Sequence, residues 1–223
     1  MWSKDNDVVR DAVLTTPNAY MQLVGIVQAL AVGLLLQQGA FFNLLEAGRV
    51  DVRSVEFWLA FFQTTTTFQL IVLTWHVNVQ TITVFQRVFG LADSYIPFSF
   101  IFAEYFVAIN SAPEKFREWA LSIAVFMLAA LIAYLHLFLR ANKDFEESKA
   151  VLDRIGNYPL VVYVFFVLGG TVALAAYLAD PIDQIWQTIV AGGIDVALLI
   201  FTYVHVRYFW QPVARAKTLK KAL

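Results

Sequence analysis

The sequence predicts an all-α fold, a polytopic helical membrane bundle with six transmembrane helices arranged as three successive helical hairpins. Three observations point there. Hydrophobic residues make up 60% of the 223 and charged residues only 15%, whereas soluble domains average roughly 45–50% apolar and about 25% charged. The apolar residues gather in runs near the length of about 20 residues that crosses about 30 Å of hydrocarbon. Strand-like alternation is not seen, and a helix satisfies its backbone polar groups within the segment, as lipid demands.

The spans are expected at 19–42, 55–77, 94–110, 118–140, 159–179 and 184–209. "TTPN" starts the first, with Thr16 as N-cap and Pro17 in the first turn; "DPID" starts the last in the same way, with Asp180 and Pro181. "SAPE" reads as a capping box of Ser111 and Glu114 before the fourth span. The segment "MWSKDNDVVRDAVLTTPN" has no continuous apolar run, so a cleavable signal peptide is not expected there. From Val79 to Phe89, apolar residues at helical spacing predict either an interfacial helix or an extension of the second span. The organisation that follows is a cytoplasmic segment at 1–18, a six-helix domain at 19–210 with a charged connector at 141–158, and a basic tail at 211–223.

Charge placement predicts the orientation. Of the 16 Lys and Arg, Arg49, Arg53, Lys115 and Arg117 fall in the loops on one side, and the other 12 on the side of both termini. Positive charge collects on the cytoplasmic side, so both termini are expected inside, in a bacterial inner or plasma membrane. The net charge of −1 gives no case for nucleic acid, and the absence of Cys excludes disulfides, thiolate metal sites and cysteine nucleophiles.

A threefold pattern runs through the even spans. Each opens near a Trp (Trp58, Trp119, Trp186) and closes on an aromatic-plus-His pattern, "LTWHV", "AYLHL" and "TYVHV", which holds one of the three histidines. Each Trp-to-His interval covers roughly 26–28 Å at 1.5 Å per residue, close to one hydrocarbon thickness. The shared depth suits an aromatic belt with His beside Trp75, Tyr134 and Tyr203. It also suits a functional layer in which His76, His136 and His205 gate protons or bind a metal or haem.

Between those two layers lie two carboxylates. Glu104 in "IFAEYFVAI" and Asp195 in "AGGIDVALL" should sit near the midplane, where insertion scales put a charged side chain at a cost of roughly 2.5–3.5 kcal/mol. Such groups face a bundle interior, a watery cavity or a partner. Gly192 and Gly193 beside Asp195 allow close helix approach. Gln28, Gln63, Thr67 and Gln69 fall within the outer and middle depths and complete a candidate ion pathway with Glu104 and Asp195. Four consecutive Thr at 64–67 cannot all face one way, so at least two should turn from any pore. Interhelical hydrogen bonding is the plainer account of these polar residues.

The leading expectation is a protein that conducts or transports a small cation, protons among them, through a polar interior with midplane carboxylates and an inner histidine layer. It would sit in the lipid bilayer as a homo-oligomer. No H-E-x-x-H, G-x-S-x-G, G-x-G-x-x-G or Walker loop is present, and no Lys lies inside a span to form a buried Schiff base. No catalytic residue is assigned and no cofactor is required. Two alternatives stand: a His-liganded metal- or haem-binding membrane enzyme or electron carrier, and a scaffold or sensor that meets a cytoplasmic protein partner through 141–158.

Overall fold

The computed structural model describes residues 22, 24–37, 40–46, 48, 51–84, 91–143, 152–179 and 183–210. The described chain is helical, with no strand among these residues. In chain order the helices are α1 (Val24–Gln37), α2 (Ala40–Glu46), α3 (Val55–Val84), α4 (Leu91–Ile109), α5 (Phe116–Lys143), α6 (Tyr158–Leu178) and α7 (Gln184–His205). A 3-10 turn, Pro113–Lys115, precedes α5, and a π-helical turn, Val206–Trp210, closes α7. Four stretches are long and apolar enough to cross a membrane: Val55–Val77, Pro113–Leu139, Tyr158–Leu178 and Gln184–Phe209. They are the spans of an integral membrane protein. Val24–Gln37 and Phe98–Ile109 are shorter apolar helices.

Helix starts follow local chemistry, though not always at the expected residue. Ser54 opens α3, its Oγ accepting from the Phe57 N–H at 3.1 Å. Asp183 opens α7, its Oδ1 accepting from the Trp186 N–H at 2.9 Å. Asp180, Pro181, Thr16 and Pro17 lie outside the described residues. The capping box at Ser111 and Glu114 does not form. Ser111 Oγ instead donates to the Ala108 carbonyl at 2.8 Å, and Ala112 precedes the 3-10 turn with no side-chain cap. The reason is local: the chain leaves α4 and turns directly into Pro113, so the Ser111 hydroxyl satisfies the helix it ends rather than the one that follows. Before α6, Gly156 at φ +54° ends the short helix at 152–155, its N–H reaching the Leu152 carbonyl at 3.2 Å.

The second expected span does continue past its inner end, since α3 runs to Val84; Phe85 to Phe89 lie outside the described residues. So do residues 144–151 of the charged connector and the tail at 211–223. Within the connector the short helix at 152–155 ends on Ile155, which is buried with the main apolar cluster.

Helix directions can be read from contacts. Phe62 meets Gly192, Thr66 meets Asp195 and His76 meets His205. The separation stays at 129 or 130 residues, so α3 and α7 run parallel and in register. α5 and α6 run opposite ways, because Arg117 reaches Tyr177 while Phe138 reaches Tyr163. Gly169 and Gly170 lie against Met127, which brings those two helices close. α6 and α7 are likewise antiparallel, with Phe165 stacked on Phe201 at 4.2 Å and Tyr158 at His205.

α3 is the interior helix: 61% of its apolar window is buried against the rest of the chain, against 22% for α6. Leu160, Val164, Leu168 and Val172 of α6 are exposed, as a lipid-facing row should be. The interior position of α3 explains its polar residues. Neighbours surround it, so Thr64, Thr66 and Thr67 are buried and Thr65 is half-buried; Thr65 and Thr66 turn to Asp195 and Thr67 to Trp119.

Candidate functional site

Two buried carboxylates organise the polar interior. Glu104 on α4 is 1% exposed and Asp195 on α7 is 6% exposed. The Gln28 amide on α1 donates to both Glu104 oxygens, at 3.1 Å to Oε1 and 2.9 Å to Oε2. Thr74 on α3 stands beside the same carboxyl, its own hydroxyl donating to the Leu70 carbonyl at 2.8 Å. Glu104 therefore joins α1, α3 and α4.

Asp195 is held from α3 alone. Its Oδ1 accepts from the Gln69 amide at 2.7 Å and lies 2.9 Å from Thr65 Oγ1 and 3.3 Å from Thr66 Oγ1. Thr65 has one hydrogen and is also 2.9 Å from the Phe61 carbonyl, so it alternates between its own helix and the carboxylate. Gly192 lies one turn before Asp195, where an added Cβ would meet the Phe62 ring at 3.1 Å. The glycine lets α7 approach α3 closely enough for Asp195 to reach three α3 side chains. Gly193 takes no part, with open space at its Cβ position.

The remaining pathway candidates fall around these groups. Thr67 Oγ1 donates to the Gln63 carbonyl at 2.7 Å and accepts from the Trp119 indole N–H at 3.2 Å. Gln63 Nε2 reaches the Ala112 carbonyl at 3.5 Å. Four buried oxygens on these helices have no hydrogen-bond partner: Gln28 Oε1, Gln63 Oε1, Gln69 Oε1 and Thr64 Oγ1. Two of them belong to the amides that grip Glu104 and Asp195, so each carboxylate has a hard, unpartnered carbonyl oxygen nearby.

Above Asp195, at the N-terminal ends of α3, α5 and α7, is a cleft of about 470 Å³ lined by Glu56, Glu114, Glu118, Arg117, Gln184 and Gln187 among others. Arg117 is held at its rim: its guanidinium donates to the Tyr177 carbonyl at 3.1 and 3.2 Å and lies over the Tyr177 ring. Three carboxylates thus face one guanidinium in this mouth.

The histidines do not converge. His76 and His205 are neighbours, their rings edge to face with centroids 5.9 Å apart. His136 is half-buried on α5, and among the described residues no three His, Cys, Asp or Glu side chains form a group that could hold a metal ion. The belt account also fails for His205, which is 1% exposed. Its ring stacks on Phe209 at 5.2 Å and shares a hydrogen bond through Nδ1 with the Tyr158 hydroxyl. The neighbouring aromatics Trp75 and Tyr203 are exposed. Trp119 departs from its counterparts as well: Trp58 is 42% and Trp186 57% exposed, but Trp119 is fully buried because its indole N–H is tied to Thr67.

Tyr158, the hydrogen-bond partner of His205, was not legible as a site residue. It lies in an aromatic-rich segment where a Tyr reads as an interface anchor.

Comparison with protein-family models, curated protein sequences and solved structures returns no match.

Proposed function

We propose that the chain conducts or transports a small cation, protons among the candidates, across a bacterial inner or plasma membrane. In this reading α1 and α4 are the two further spans, both termini are cytoplasmic, and the protein works as a homo-oligomer. The observation that carries the proposal is the pair Glu104 and Asp195, each gripped by a Gln amide from another helix with an unpartnered amide oxygen beside it. A carboxylate in a membrane interior is costly and marks an ion or proton path by default. Carboxylate and amide oxygens are the donors that hard cations prefer, and a carboxyl can equally carry a proton. The acidic cleft of Glu56, Glu114 and Glu118 supports entry from that end, where like charges raise the local cation concentration.

The test is flux in proteoliposomes, read with dyes for protons, sodium and potassium. Glu104→Gln together with Asp195→Asn should bring the flux of the carried ion down to that of protein-free liposomes. Flux at the wild-type rate in that double variant would sink the proposal.

A further inference from the structure

We propose that Glu104 is a proton-binding site and that Gln28 is its positioning residue, an amide that pairs with the carboxylic acid and turns when the proton leaves. The inference rests on the transport reading above and narrows its cargo to the proton.

The geometry of one amide carries it. Gln28 Nε2 lies 3.1 Å from Glu104 Oε1 and 2.9 Å from Oε2. Gln28 Oε1, on the same group, is buried with no hydrogen-bond partner. A carboxylate only accepts, so it engages the N–H side of an amide and strands the oxygen. A carboxylic acid also has one O–H to give. Rotating the Gln28 amide about its last side-chain bond sets its N–H on the acid carbonyl and its oxygen on the acid O–H. Two planar groups already in contact are then joined by two parallel bonds. The protonated pair satisfies one more buried polar atom than the ionised pair, and buried polar atoms left unpaired are costly.

The surroundings favour a proton over a metal ion. Within one turn along α1 and α4 stand Val24, Ala31, Phe100, Val107 and Ala108, all buried. The polar neighbours of Glu104 are the Gln28 amide and the Thr74 hydroxyl, both uncharged, and the Thr74 hydrogen goes to the Leu70 carbonyl. A hard cation takes about six or more oxygen ligands. The two Glu104 oxygens, Gln28 Oε1 and Thr74 Oγ1 fall short of that number, whereas a proton needs one oxygen. Among the described residues no Lys, Arg or His is paired with this carboxyl. A buried carboxylate without a cationic partner is neutralised by protonation.

The step balances with water as the only co-reactant. A hydronium ion gives a proton to one Glu104 oxygen and leaves as water. One O–H bond breaks and one forms, the carboxylate charge is cancelled, and no electron moves. Release reverses the step, and the Gln28 N–H side returns to both oxygens.

The test is infrared difference spectroscopy of the whole protein in liposomes between alkaline and acid buffer, with proton, sodium and potassium flux read from the same vesicles. On acidification, wild type should show a carboxylic-acid carbonyl band that Glu104→Gln lacks. Gln28→Met keeps the length of the side chain and removes the amide. It should move that band to higher frequency and slow proton uptake by about tenfold or more. Gln22→Met, at an exposed position before α1, should leave band and uptake as in wild type. A wild type without a Glu104-dependent acid band overturns the proton site, and that comparison needs no folded Gln28 variant. A band at the wild-type frequency in Gln28→Met overturns the pairing. Either result leaves the transport reading intact. A wild type that passes sodium or potassium but no protons overturns the cargo and also leaves that reading intact. One that passes no cation overturns the transport reading itself.

Discussion

Gln28 holds Glu104 by both carboxylate oxygens, yet its own carbonyl oxygen is buried without a partner. The two ends of one amide thus have opposite fates, and this sets the response to substitution. Glu104→Gln places an amide N–H within reach of the idle Gln28 oxygen, so the variant should unfold no more easily than wild type although its flux is lost. Gln28→Ala removes the donor from a buried carboxyl and should destabilise by about 1–2 kcal/mol. Thermal unfolding in detergent separates the two; a Glu104→Gln variant less stable than Gln28→Ala would refute the arrangement.

Asp195 gathers its donors from α3 alone, which makes it the polar tie between the parallel pair α3 and α7. Asp195→Asn retains an accepting oxygen and adds an N–H near the unpartnered Gln69 oxygen. Asp195→Ala strands the Gln69 amide and should cost about 1–2 kcal/mol more than Asp195→Asn. Denaturant titration followed by helix content reads the difference.

Close approach of the same pair depends on one glycine of two. Gly192→Ala puts a Cβ 3.1 Å from the Phe62 ring and should cost about 1–3 kcal/mol by overpacking. Phe62→Leu should recover part of that loss when combined with it. Gly193→Ala meets open space and should stay within about 0.5 kcal/mol of wild type. Equal costs at the two positions would contradict the packing.

The three Trp at similar intervals should behave unequally. Trp119→Ala empties a fully buried site and cuts the bond to Thr67, a loss of about 3–5 kcal/mol. Trp58→Ala and Trp186→Ala act on exposed rings and should cost far less. Brominated lipids offer a second reading: they should quench Trp58 and Trp186 and spare Trp119.

Span limits were legible in the sequence and azimuth was not. Run lengths put four apolar spans within a few residues of their observed ends, and the position of Asp195 and Glu104 within their runs marked both as interior acids. What sequence spacing cannot reach is which way a residue faces about its helix axis. Trp119 and Trp58 occupy like positions, but one faces Thr67 and the other faces outward. His205 and Tyr203 are two residues apart and point to opposite environments. The four Thr looked over-supplied for one polar face; Thr65 and Thr66 share Asp195, Thr67 turns to Trp119, and the Thr64 hydroxyl is buried without a partner. Tyr158 escaped notice because its partner His205 lies 47 residues further along, on another helix.

The interior place of α3 also bears on how the chain can change over time. A helix with 61% of its apolar window enclosed and its Thr, Gln and His side chains committed to neighbours on different sides has little room for neutral drift. α6, bathed mostly in lipid, can exchange one aliphatic residue for another freely. Sequence divergence should therefore erode α6 first and leave the stretch from Gln63 to His76 as the longest-lived signature, so distant kin are best sought with that polar string rather than with the whole chain.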